Sequence, residues 1–140
     1  MSLEQNKAIV LKMYEAFDKQ DIEQGRKFIS VDIVGHGMDT TSRKGIDEFI
    51  QYAMSSFIIF PDGYHVFEEI IAEGNKVVTR GTFSGTHQGK LMGIPPTGKQ
   101  VKFSFVHIDT LLDGKVTEHW GQADVFGMMQ QLDFATVDRK

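Results

Sequence analysis

The residues best suited to chemistry in this chain form one run near its C-terminal end: Asp113-Gly114-Lys115-Val116-Thr117-Glu118-His119-Trp120-Gly121-Gln122-Ala123-Asp124. Asp-Gly is a strong signal for a two-residue hairpin turn. Successive strand residues point to opposite faces, so Glu118, Trp120, Gln122 and Asp124 are expected to share one face of a strand that begins at Lys115. A carboxylate, an amide and the single tryptophan make poor uniform core. They suit a pocket with an apolar wall to hold a substrate and one carboxylate to move a proton.

Pairing outward from the Asp113-Gly114 turn extends this reading to the preceding strand, Val101 to Leu112. His107 then lies opposite Trp120, Phe105 opposite Gln122, and Phe103 opposite Asp124. A carboxylate among aromatic rings has its charged form disfavoured by desolvation, which moves its pKa toward values useful for general acid–base work. The alternative is that Asp124 caps a following helix, and the two roles are compatible. The same register sets Asp109 opposite Glu118. Like charges facing each other are unfavourable unless that end projects into water or a bulge shifts the pairing. The other face carries Val106, Ile108, His119 and Ala123, a lightly charged surface suited to burial against a second copy, so a homodimer is expected.

Three further positions could contribute. Gly74-Asn75 marks another tight hairpin, and its pairing sets Arg80 opposite Glu69, leaving a cross-strand ion pair or an Arg turned to a substrate oxyanion as alternatives. His36 lies between Gly35 and Gly37, which leaves room for a ligand, although a lone histidine there is as readily structural. Tyr14 falls on an apolar helical stripe, with its hydroxyl expected at the pocket edge. The five histidines show no spacing that places two metal ligands on one element face, and there is no cysteine, so no metal site is expected. Gly93-Ile94-Pro95-Pro96-Thr97-Gly98-Lys99 imitates a phosphate-binding loop. However, Gln100 stands where Ser or Thr is needed, two prolines remove cradle N–H groups, and a strand rather than a helix follows.

The elements that must position these residues are legible from periodicity. Ser2-Leu3-Glu4-Gln5 is a capping box for a helix to about Lys19, with Val10, Met13, Tyr14 and Phe17 on one stripe. Asp21 can cap a short second helix, Ile33 to His36 reads as extended, and Ile46 to Phe57 marks a third helix. From Tyr64 the period changes to 2: Tyr64 to Glu73, Lys76 to Thr86, Val101 to Leu112 and Lys115 to Asp124 read as strands. Phe126, Met129 and Leu132 suggest a closing helical turn. Helices followed by antiparallel strands spell an α+β fold, with the helices packed on one face of a curved sheet. The 140 residues, 41% hydrophobic and 24% charged, suit one domain over residues 1–140. A net charge of −4 without a basic run gives no electrostatic support to a nucleic-acid partner. With no signal peptide or apolar span apparent, the expected setting is the cytoplasm, away from membranes.

Several of these segments together resemble the SnoaL-like polyketide cyclase family. They are His36 after its hydrophobic pair, Phe60-Pro61-Asp62, Gly85-Thr86-His87-Gln88-Gly89, the Gly93 to Lys99 loop, and Asp113 to Trp120 with Asp124; the similarity runs from about Ala8 to Leu132. The resemblance implies the cone-shaped α+β barrel of the nuclear transport factor 2 like superfamily. It also implies intramolecular aldol closure of a polyketide ring without metal or organic cofactor, on a hydrophobic carbonyl compound. It implies Asp124 as the group that takes and returns the proton, with Trp120 and His36 on the family pattern; His107 is expected beside it from the hairpin pairing. Trp120, Tyr14, Gln122, Phe105, Arg80 and His87 are then the residues expected to contact substrate. Double-bond isomerisation, dehydration and non-catalytic binding of a small molecule fit the same set of side chains.

Overall fold

The computed structural model describes residues 1–39 and 41–134. Helix α1 (Leu3–Asp18) opens with the expected capping box: Ser2 Oγ accepts from the Gln5 N–H, and the Gln5 side chain accepts from the Ser2 N–H. Asp21 caps α2 (Ile22–Arg26) through the Gln24 N–H. Strands β1 (Ile29–His36) and β2 (Ser42–Lys44) precede α3 (Ile46–Ile59). Then follow β3 (Tyr64–Glu73), β4 (Lys76–Thr86), β5 (Gln100–Leu112), β6 (Lys115–Ala123) and a short α4 (Val125–Gln131). β2, with three residues, is too short to leave a periodic signal.

The six strands form one curved sheet in the order β2-β1-β6-β5-β4-β3. Its pairs are antiparallel except β1 with β6, which run parallel. This pair could not be foreseen from hairpin turns, because a parallel neighbour needs a long crossover rather than a two-residue loop. The sheet stays open at its edges. Val10, Met13, Tyr14 and Phe17 of α1 and Phe49, Ile50 and Phe57 of α3 pack on its concave side against Phe83, Phe105, Leu111 and Val116. The mixed α+β architecture expected from the order of elements is the one observed.

Two bulges decide which side chains enter this concave space. In the β5–β6 hairpin, Asp113 and Gly114 both adopt positive φ, as a tight hairpin turn requires. Leu112 pairs with Lys115 and Leu111 with Val116, as expected from the turn. Beyond them Thr117 is extra: Thr110 pairs with Glu118, Asp109 with His119, Ile108 with Trp120 and His107 with Gly121. Thr117 Oγ1 donates to the Thr110 carbonyl at 3.2 Å, giving this disrupted stretch of ladder a local partner. The single-residue slip exchanges the faces of everything that follows on β6. His119, Gly121 and Ala123 therefore turn inward, while Trp120 and Gln122 turn to the convex surface, the reverse of the expected placement. The convex surface expected to hold Val106, Ile108, His119 and Ala123 keeps only the first two.

The second bulge, at Glu68, lies between the Phe67–Gly81 and Glu69–Arg80 pairs of β3 and β4. A Cβ on Gly81 would stand 1.9 Å from the Val66 carbonyl oxygen, so only glycine fits without moving backbone. Gly81→Ala is expected to cost about 1–3 kcal/mol, the usual range for overpacking. Chemical denaturation at unchanged m-value checks it.

Candidate functional site

Between α1, α3 and the concave face lies a cavity of about 160 Å³, walled mainly by Phe17, Phe49, Phe57, Phe83 and Phe105. Met38, half-exposed, marks its open rim. Five polar rings are set into this apolar wall: Tyr14, Tyr52, His65, His107 and His119.

Tyr14 reaches the cavity because it belongs to the buried stripe of α1, and its hydroxyl donates to Asp109 Oδ2 at 2.6 Å. His119 Nδ1 lies 2.8 Å from Asp109 Oδ1 and 3.4 Å from the Tyr14 hydroxyl. Asp109 is 0% exposed. An ionised carboxylate in such a place is costly unless donors satisfy it, and here a phenol and an imidazole do so. Burial, and secondarily the neighbouring Asp109, hold the Tyr14 hydroxyl well above its usual pKa, so Tyr14 stays a neutral donor. Donation of the His119 Nδ1–H to Asp109 leaves Nε2 as the ring nitrogen able to accept. A Cβ at position 121 would lie 3.0 Å from that Nε2 and 3.3 Å from the His107 ring. Gly121 thus leaves both imidazole edges open to a ligand.

His107 projects inward from β5, stacked on Phe105 with ring centroids 4.6 Å apart, and its ring lies 5.1 Å from that of His119. Burial pushes its pKa well below 6.5, and the nearby His119 and His65 push in the same direction. It is therefore a neutral imidazole, able to donate a hydrogen bond without bringing a charge. Its Nδ1 is buried and has no hydrogen-bond partner among the described residues, so Nε2, beside Gly121, is the nitrogen a ligand can reach. His65 on β3 places Nδ1 2.6 Å from Asp18 Oδ1.

Of the residues expected at this site, Tyr14, Phe105 and His107 line the cavity, and the others are elsewhere. Asp124 is exposed, and Oδ1 accepts from the Gly127 N–H at 2.8 Å as the N-cap of α4; the capping alternative describes its geometry. Trp120, 46% exposed, stacks on His36 on the convex face, with centroids 3.8 Å apart. His36 bonds Ser42 Oγ and Glu118 Oε2 at 2.9 and 3.0 Å, which ties β1 to its neighbours. Gln122 is exposed on the same convex face. Arg80 forms ion pairs with Glu68 and Glu69 outside the cavity, as in the cross-strand alternative. His87 is fully buried beneath the 88–99 loop, with Nδ1 3.0 Å from Thr97 Oγ1; it anchors the loop whose Leu91 reaches the cavity. Asp109, His119, His65 and Asp18 are not among the residues that the sequence places at the site. The signal for the first two was the predicted Asp109–Glu118 repulsion, which the bulge relieves by bringing His119 opposite Asp109 instead. No sequence signal pointed to His65 and Asp18, whose contact joins elements far apart in the chain. Among the described residues no cluster of three His, Cys, Asp or Glu side chains is arranged to hold a metal ion, and no helix is long and apolar enough to cross a membrane.

The sequence profile of the SnoaL-like polyketide cyclases matches residues 8–132. Aklanonic acid methyl ester cyclase DnrD of Streptomyces peucetius is 27% identical over 128 residues, covering 89% of this chain and 88% of the relative. Among solved structures, AclR of Streptomyces galilaeus superposes with TM-score 0.87 at 29% identity, over 99% of this chain and 91% of its own. IdmH of Streptomyces antibioticus gives TM-score 0.83 at 29% identity, over 92% and 99%. A hydroxylase activity has been suggested for the former and a polyketide cyclase activity for the latter, so the shared fold does not choose the reaction.

The neutral His107 makes a checkable contribution to stability. Its folded pKa lies below the unfolded value near 6.5, so below that pH the unfolded chain binds a proton that the folded site resists. Its contribution is complete above about pH 6.5 and is lost as pH falls toward its folded pKa. His107→Phe, which keeps an aromatic ring there, should flatten the fall in unfolding free energy between neutral pH and pH 5. Urea titrations of both proteins across that window test this.

Proposed function

This chain belongs to the SnoaL-like polyketide cyclase family, and we propose that it closes a carbon ring by intramolecular aldol addition using its own side chains as acid and base. The observation that carries this reading is the buried Tyr14–Asp109–His119 network opening on an aromatic cavity. His119 Nε2 removes the proton α to a carbonyl, with Asp109 orienting the ring and stabilising the imidazolium that forms. Tyr14 keeps Asp109 satisfied while this charge appears. His107, neutral and facing the same space, donates to the enolate oxygen, where a fixed donor in a dry site has its largest effect. The apolar wall excludes water and holds a hydrophobic substrate. A cavity of about 160 Å³ accepts roughly one aromatic ring, so a polycyclic ester would enter with its reacting end and leave the remainder at the Met38 rim.

This assignment moves the proton-transfer role from Asp124 to His119, which the β6 bulge turns inward beside Asp109. Aklanonic acid methyl ester, named in the similar Streptomyces peucetius cyclase, is the first substrate to try. His119→Gln should lower turnover by about 10²–10⁴-fold, the range typical of a general base. Asp124→Asn, which keeps a good helix cap, should leave both turnover and stability unchanged. The opposite pattern returns the role to Asp124. Chelator should not alter the rate, since every step uses side chains.

A homodimer on the convex face belongs to the same proposal. Trp120, Ile108, Val78 and Ile71 are successive pairing partners across β6, β5, β4 and β3, and form an apolar row over four strands. Trp120, Ile108 and Ile71 are exposed in the isolated chain. A row of this kind suits burial against its own two-fold copy. Light scattering at micromolar concentration should return twice the 15.8 kDa chain mass, and Ile108→Glu should return the single mass; a wild-type monomer ends this part of the proposal.

A further inference from the structure

Ring closure requires a proton to be delivered as well as one removed, and the cavity holds a second imidazole–carboxylate pair. His65 Nδ1 lies 2.6 Å from Asp18 Oδ1, and the His65 backbone N–H donates to Asp18 Oδ2 at 3.0 Å. Asp18 is the last residue of α1, and α1 has no basic residue in its final turn. The C-terminal end of a helix is negative, so a carboxylate there is unfavourable unless donors meet it. Both donors come from His65. The arrangement selects a ring with a proton on Nδ1, and on this cavity-lining residue Nε2 has no hydrogen-bond partner among the described residues.

The two pairs are placed and connected differently. Strand order sets His119 on β6, His107 on β5 and His65 on β3, so His107 stands between the other two rings, 5.1 and 5.9 Å from them. Asp109 is sealed, whereas the Asp18 side chain is 20% exposed. The sealed pair suits a base that must not be quenched by water; the pair that touches solvent suits an acid that must be recharged after each cycle.

We propose that His65 is the catalytic acid that protonates the carbonyl oxygen during ring closure, with Asp18 as its positioning residue. This rests on the reading of His119 as the base. His119 Nε2 takes the proton from the α-carbon, and the C–H pair becomes the enolate. The enolate carbon bonds to the second carbonyl carbon, whose π pair moves to its oxygen. That oxygen takes a proton from the Nε2 of a protonated His65. No atom is gained or lost by the substrate. One proton has passed from carbon to His119 and one from His65 to oxygen, and exchange with solvent restores both rings.

The two steps separate in D₂O. With aklanonic acid methyl ester as probe, deuterium entering recovered substrate α to its carbonyls reports carbon deprotonation, and the cyclised product reports closure. His65→Gln should lower closure by about 10²–10⁴-fold while enzyme-dependent exchange persists. Asp18→Asn should show the same split with a smaller loss. His119→Gln should lose both signals. His65→Phe keeps the ring packing against Phe67 and Phe83 without nitrogen, and serves if the Gln variant does not fold. Undiminished closure in a folded His65 variant overturns the proposal. So does loss of exchange and closure in equal measure, since that is what a merely structural ring would produce. Wild-type protein that neither exchanges nor cyclises the probe overturns the ring-closure reading and this proposal together, and that result is visible before any variant is made.

Discussion

Asp109 is the constraint around which this molecule is arranged. A carboxylate with no exposed surface must find donors inside the fold or cost several kcal/mol. A regular hairpin would offer it Glu118, the worst possible neighbour. The extra residue at Thr117 replaces that repulsion with the His119 imidazole, and α1 supplies the Tyr14 hydroxyl from the other side. The bulge costs one pair of the β5–β6 ladder and partly recovers it through the Thr117 hydroxyl. The β6 side of the cavity follows from this local exchange: it turns His119 inward, bares Gly121 beneath two imidazole edges, and sends Trp120 outside.

The aromatic wall and the polar rings depend on each other. Phe105 stacks on His107, and Phe49 meets His119 edge-on at 5.3 Å between centroids. These contacts keep water from the imidazoles and depress the tendency of His107 to carry charge. The same dryness makes each hydrogen bond in the Tyr14–Asp109–His119 network stronger than it would be in water, and makes any missing member expensive. The site is rigid where charge is handled, because β4, β5 and β6 are centrally paired. Met38 and Leu91 of the 88–99 loop complete its lining.

The convex face follows a different logic. His36, Trp120, Glu118 and Ser42 form a polar-aromatic cluster that binds β1 and β2 to β6. It belongs to the sheet's construction and sits across the sheet from the cavity. Arg80 likewise serves the β3 bulge, where Glu68 and Glu69 both reach it. Residues that look reactive in isolation can therefore be consumed by local geometry, and a fold shared with AclR and IdmH leaves the choice of reaction to the few side chains that face inward.

By itself the sequence determined the elements and their order. The capping box at Ser2, the Asp21 cap, the stripe through Val10, Met13, Tyr14 and Phe17, and the Gly74-Asn75 and Asp113-Gly114 turns are all signals within a few residues, and the structure follows each of them. It also determined that the carboxylate-bearing strands of the last hairpin border a pocket, since Phe105 and His107 line one. Only the tertiary structure decided which carboxylate and which imidazole face it. Side-chain direction on a strand has period 2, so one inserted residue reverses every assignment beyond it. The reason for that insertion, the need of buried Asp109 for a donor, exists only once α1 has covered the sheet. The pairing of Asp18 with His65 and the parallel contact of β1 with β6 were equally invisible, because they join segments far apart in the chain, whose meeting no local pattern records.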